Sequence, residues 1–137
     1  MFLQAVEKLK VEDLNDLTFI FREEGSATRN AMEEFLDSNE VKVKRSMQLT
    51  SNEAVKQAVE AGLGNTIMPI IGLKGELASN TIKVIDVEGL PIRTKWHLVY
   101  NKGKGLTPAT QKFIEYISSH KQEVVDKYFG WVEELNN

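Results

Sequence analysis

The chain has 137 residues, 42% of them apolar and 27% charged, with a formal net charge of −3. That balance suits one globular domain, or slightly less than two small ones, and without a long basic run it makes a poor nucleic-acid binder by itself. The absence of cysteine excludes disulfides and thiolate chemistry. No basic-flanked leader or run of ~18 apolar residues is present, so a soluble cytoplasmic domain without membrane contact is expected.

Phe2, Leu3, Val6 and Leu9 share one helical face and predict a short opening helix. Glu12-Asp13-Leu14-Asn15-Asp16-Leu17 reads as a turn or a single helical turn. Thr18 to Phe21 then forms a buried strand that stops at Arg22-Glu23-Glu24. Gly25 supplies a tight turn, and Ser26 is a good N-cap for a helix over about Ala27–Asp37. Its apolar face is Ala31, Met32, Phe35 and Leu36. Ser38-Asn39 breaks the helix. Val41, Val43 and Met47 alternate with Lys42, Lys44 and Ser46, the pattern of a half-exposed strand with a cationic face.

A second helix starts at Thr50-Ser51-Asn52-Glu53. Thr50 with Glu53 matches a capping box, and Ser51 and Asn52 are alternative caps. Ala54, Val55, Ala58 and Val59 give a narrow stripe for close packing on a sheet, and Gly62 suits a left-handed C-cap. Thr66-Ile67-Met68 predicts a short buried strand, ended by Pro69. Residues 18–69 thus alternate strand and helix, the pattern of parallel strands joined by crossovers. Ligands of such sheets sit beyond the carboxyl ends of the strands. Both helix N-termini and the loop after Met68 would lie on that rim, and N-termini favour anions.

Further along, Leu73–Leu77 is a short helix or turn, Thr81–Val87 a strand, and Gly89-Leu90-Pro91 a break. Thr94–Tyr100 alternates Trp96, Leu98 and Tyr100 with Lys95, His97 and Val99, and predicts another strand. Lys102-Gly103-Lys104-Gly105 is a loop without phosphate-loop spacing. Thr107-Pro108 is a clean helix start. Ser118-Ser119-His120 is expected to weaken or end that helix before a second amphipathic stretch, Val124 to Leu135.

Catalysis is not indicated. His97 and His120 lack partners at metal-ligand spacing, no Gly-x-Ser-x-Gly elbow exists, Ser26 has no placeable base, and adjacent Glu23 and Glu24 point apart on a strand end. The expectation is a non-enzyme with no catalytic residue, metal or cofactor.

Several stretches together resemble one family. They are Glu12-Asp13-Leu14, the run from Phe19 through Arg22 and Gly25-Ser26-Ala27-Thr28-Arg29, and Leu49 to Lys56 with Val59 to Gly64. Ile67-Met68-Pro69, Gly89-Leu90-Pro91 and Leu106-Thr107-Pro108-Ala109 with Phe113 follow. In this order the set is similar to the C-terminal part of the effector-binding domain of LysR-type transcriptional regulators, from about residue 10 to residue 117. The Gly-Ser-x-Thr-Arg form and the Ser-Asn-Glu-Ala-Val helix are similar to regulators of carbon-fixation and sulfur-assimilation operons. The resemblance implies an α/β fold of the type II periplasmic-binding-protein kind, with a mostly parallel sheet flanked by helices. A small effector would be held in a cleft between two subdomains.

Carried over, residues 1–93 would hold the second subdomain, and residues 94–137 the return strand and C-terminal helices of an incomplete first one. Gly25, Ser26, Thr28, Arg29, Thr50, Ser51, Asn52, Met68 and Pro69 would face the effector, a small anion of carboxylate, phosphate or sulfate type. The family's helix-turn-helix is missing, so the chain reads as a fragment of a DNA-binding parent that does not itself touch DNA. Its unpartnered return elements imply a homodimer. The alternative is a solute- or amino-acid-binding domain of the same fold from a transporter or a regulated enzyme.

Overall fold

The computed structural model describes residues 8–101 and 103–135. Their contacts divide the chain into two units, Met1–Arg93 and Thr94–Asn137.

The first unit is built around strand β1, Thr18–Arg22. Phe19, Ile20 and Phe21 are all buried. Such an unbroken apolar run arises when both faces of a strand are covered. Phe19 and Phe21 pack with Met32, Phe35 and Leu36 of helix α1, Ala27–Ser38. Ile20 points the other way, against Val55 and Ala58 of helix α2, Asn52–Glu60. The two helices therefore sit on opposite faces of the sheet, and the period of two along β1 assigns them.

Strand β2, Lys44–Leu49, runs parallel to β1 with one irregularity, where Phe19 pairs with Arg45 but Ile20 with Met47. The skipped Ser46 donates its hydroxyl to the Phe19 carbonyl at 3.2 Å. On the other side of β1, Asn65 makes an isolated parallel bridge to Phe19. Its carbonyl accepts from Ile20 N–H at 2.8 Å and its N–H donates to Thr18 at 2.9 Å. The α/β architecture with parallel strands and flanking helices is present, but the strand expected over Thr66–Met68 shrinks to this one bridge. The strand expected from Val41 begins only at Lys44: Val41 instead donates its N–H to Leu36 O and closes α1, with Glu40 left-handed at φ 56°.

Helix α2 ends in the same way with a better residue. Gly62 takes φ 75°, its N–H donates to Val59 O at 2.9 Å, and Leu63 N–H donates to Ala58 O at 3.0 Å. This pair of bonds is a Schellman motif, which glycine closes without steric cost. Val11–Leu14 forms a 3₁₀ turn. The expected opening helix falls mainly on residues 1–7, outside the described residues. Its last apolar member, Leu9, bridges Val87 instead.

Two strand expectations fail further along for one reason. Over Thr81–Val87 the structure has only the Val87 bridge, with Val84 and Ile85 exposed. Over Thr94–Tyr100 it has no regular structure, and Trp96 and Val99 are 88% and 85% exposed. A strand requires a neighbour on its hydrogen-bonding edge, and beyond Leu9 beside Val87 these segments find none among the described residues.

In the second unit, helix α4 runs unbroken over Pro108–Glu134, capped by the Thr107 hydroxyl, which accepts from Thr110 N–H. The expected break at Ser118-Ser119-His120 does not occur. Ser119 Oγ donates back to Glu115 O at 2.8 Å, and His120 stacks on Tyr116 at 4.2 Å one turn earlier. Both interactions lie inside the helix and are compatible with its continuing.

Helix α3, Lys74–Ala78, is tied to α2 by Lys56, whose ammonium lies 2.8 Å from both Glu53 and Glu76. Hydrogen bonds to Glu53 and then Glu76 push the Lys56 pKa up from its ordinary 10.5 to about 12. The same bonds lower both carboxyls below their ordinary 4.5. The stabilisation is therefore complete between pH 4.5 and 10.5. It is lost as pH falls through the lowered carboxyl values, or rises through about 12. Melting curves should show a constant Tm gap between the wild type and Lys56→Met inside that window, narrowing in acid. A gap that persists at pH 2 would rule the ion pairs out as its source.

Candidate functional site

The carboxyl ends of β1 and β2 lie side by side, with Arg22 paired to Leu49. Each strand then feeds the N-terminus of a helix, and the two loops are joined. Glu23 N–H donates to Leu49 O at 3.0 Å. The Arg22 guanidinium grips Glu23 with Nε and Nη2 at 2.7 and 2.8 Å, and donates from Nη1 to Asn52 Oδ1. Arg22 Nη2 also reaches Thr50 O at 3.5 Å. The hydrogen bond with Arg22 holds the Glu23 carboxyl below the usual range, and that with Glu23 raises the guanidinium further. Arg22 is the rim residue that sequence reasoning missed, seen there only as the end of a strand. The available signal was an arginine closing a buried strand directly before two glutamates.

The two helix N-termini differ. At α2, Ser51 is the cap, its hydroxyl accepting from Ala54 N–H at 3.0 Å, so the Thr50–Glu53 box is not the one used. At α1, Ser26 occupies the cap position with φ −69° and ψ 129°, yet its hydroxyl makes no capping bond. Its backbone accepts from Asn30 N–H at 2.9 Å, and Gly25 before it takes φ 84°. The first N–H groups of a helix have no acceptor within it. Here Ala27, Thr28 and Arg29 carry those groups, beside the uncommitted Ser26 hydroxyl.

Arg29 differs from the expectation for a rim cation. It is 7% exposed, and its donors are engaged by protein partners, with Nη2 3.8 Å from the exposed Glu24 carboxylate. Nε donates to Glu33 at 3.0 Å, while Nη1 donates to Gln48 at 2.7 Å and to Arg22 O at 3.2 Å. It ties α1 to both strands. Glu33 is shared with Arg45, whose guanidinium covers the Phe21 ring at 4.5 Å.

The structure thus brings Gly25, Ser26, Thr28, Thr50, Ser51 and Asn52 to one rim. Asn65 pairs parallel with β1, and Thr66 Oγ1 donates to Ile20 O at 3.0 Å. The chain therefore advances toward the same end, with half-buried Met68 and exposed Pro69 next. Among the described residues no group of three or more His, Asp or Glu side chains could hold a metal ion, and no helix is long and apolar enough to cross a membrane.

Comparison with known proteins adds to this geometry. The family described as the LysR substrate binding domain matches residues 2–122. Over 117 residues the chain is 45% identical to the RuBisCO operon transcriptional regulator of Allochromatium vinosum, covering 85% of this chain and 39% of that protein. Over 118 residues it is 40% identical to the HTH-type transcriptional activator CmpR of Synechocystis sp., covering 86% and 39%. Its fold is similar to that of the Synechocystis PCC6803 CcmR regulatory domain, solved in complex with 2-PG. The TM-score is 0.79 at 33% identity, over 87% of this chain and 57% of that one. The chain therefore spans about two fifths of the length of these curated relatives.

The unequal caps have a measurable consequence. Ser51→Ala removes a capping bond and should cost about 1 kcal/mol in urea unfolding, whereas Ser26→Ala should cost less than about 0.5 kcal/mol. Equal losses would mean that Ser26 caps α1 after all.

Proposed function

Because the chain belongs to the LysR substrate-binding domain family, we propose that it is the effector-sensing part of a DNA-binding transcriptional regulator and that its effector is a small anion. The observation that carries the proposal is the joined rim, where two helix N-termini meet at the carboxyl ends of parallel strands. Backbone N–H groups and the positive ends of both helices would receive the negative charge. The hydroxyls of Ser26 and Thr28 would add donors at α1, and Thr50, Ser51 and the Asn52 backbone would do so at α2. Gly25 would let the chain turn close to the ligand, and Met68 and Pro69 would form an apolar border. A ligand in complex with the similar CcmR domain, 2-PG, supports an effector role for this fold. The names of the relatives, regulators of transcription, favour this reading over a transporter component or an enzyme.

In this reading the effector shifts a population between arrangements of the regulator, and DNA binding belongs to a separate part of the parent. The working compartment would be the cytoplasm, where the DNA is. Association into a homodimer is part of the proposal. It is supported by the large apolar side chains that the second unit leaves exposed, among them Phe113, Tyr116 and Tyr128.

Thermal-shift titration with 2-PG, inorganic phosphate, sulfate and small carboxylates tests the site. One anion should raise Tm saturably, by mass action on the native state, and the rise should be lost in the Ser26→Ala, Thr28→Ala double variant. A Tm that no anion moves would defeat the anion reading. Sedimentation velocity tests the association: a dimer is expected at micromolar concentration, and a monomer at every concentration would eliminate it.

A further inference from the structure

We propose that Arg22 is a positioning residue for anion binding at this rim: it cross-links the loop before α1 to the first turn of α2 and so sets the separation of the two helix N-termini. The inference rests on the reading of the rim as an effector site. Arg22 lies between the two loops and bonds to both. Its guanidinium holds Glu23 by two bonds on one side and the Asn52 amide oxygen, with Thr50 O at 3.5 Å, on the other. Its own carbonyl accepts from Arg29 Nη1 at 3.2 Å, which fastens the same residue to α1. One position thereby connects β1 to both helices.

The side chain is also placed for bracing. It is 16% exposed and its charge is answered by the Glu23 carboxylate at 2.7 Å. A compensated, half-buried guanidinium adds little attraction for an anion, and what it supplies is geometry. The planar fork matters here, because its nitrogens serve two partners at once, which a single ammonium at the end of a flexible stem does not reproduce. Asn52 acts through the same link: its side-chain oxygen is engaged by Arg22, which leaves its backbone N–H at the start of α2.

The test is calorimetric titration of the chain with inorganic phosphate and with 2-PG. The proteins are the wild type, Arg22→Lys, Arg22→Met, Asn52→Leu and the Arg22→Met, Asn52→Leu double variant, each shown to be folded by circular dichroism. Amide hydrogen exchange is followed over residues 23–28 and 50–55. Arg22→Lys and Arg22→Met should each weaken binding about tenfold and Asn52→Leu similarly. The double variant should be no worse than the singles, because all break one link. Exchange should rise in both loops. Full affinity in Arg22→Lys beside a loss in Arg22→Met would mean a direct charge contact and overturn the proposal, as would multiplying losses in the double variant or unchanged affinity throughout. If the wild type binds neither anion, the phosphate-type effector is excluded, and exchange alone decides the link. Unchanged exchange in Arg22→Met then refutes it, and raised exchange in both loops supports it.

Discussion

The burial of Phe19, Ile20 and Phe21 on both faces of one strand is the constraint from which the rest of the first unit follows. A strand covered on one side only would need a single helix. Here the two phenylalanines require α1 and the isoleucine requires α2. Because β2 runs parallel to β1, each strand must hand the chain to its helix at the same end of the sheet. The convergence of two helix N-termini is therefore a result of core packing and chain direction, and the rim is available before any functional residue is chosen.

What the side chains add is fixation. Arg22 and Arg29 lie near the rim, yet both are bound to protein partners: Glu23 and Asn52 for the first, Glu33, Gln48 and the Arg22 carbonyl for the second. Their charge is compensated where they stand. On the proposed reading, an anion arriving at this rim would meet backbone donors and hydroxyls whose geometry Arg22 helps to set. Such donors discriminate by shape and bond direction, whereas free cations attract any anion. Ser26 and Ser51 behave differently in equivalent positions. One hydroxyl is engaged in closing its helix, and the other is left without a capping bond.

Much of this was legible in the sequence because it was local. The β1 run, the apolar spacing of α1 and α2, the turn at Gly25 and the C-cap at Gly62 each depend on residues within a turn or two. So does the ordered set of motifs that resembles the LysR effector domain. What escaped depended on distant partners. The alternation at Thr81–Val87 and Thr94–Tyr100 is real, but no strand lies beside it among the described residues. The bulge at Ser46 and the late start of β2 come from register with β1. Arg22 escaped because its partner Asn52 is thirty residues away, and the burial of Arg29 was not legible because its partner Gln48 is nineteen residues away.

Helix α4 carries the same distinction between local and distant causes. Thr107 caps it and Pro108 starts it, so its beginning is written in two residues. Its length is not, because Ser118-Ser119-His120 is a weak helical stretch by propensity. The stretch stays helical with contacts made inside the helix, Ser119 to Glu115 and His120 against Tyr116. Such contacts contribute only tenths of a kcal/mol each, and helices in proteins owe most of their stability to packing of an apolar face. Phe113, Ile117, Val125 and Phe129 remain exposed. In the proposed homodimer a second copy would cover those side chains, so the proposal bears on the structure of α4 as well as on function.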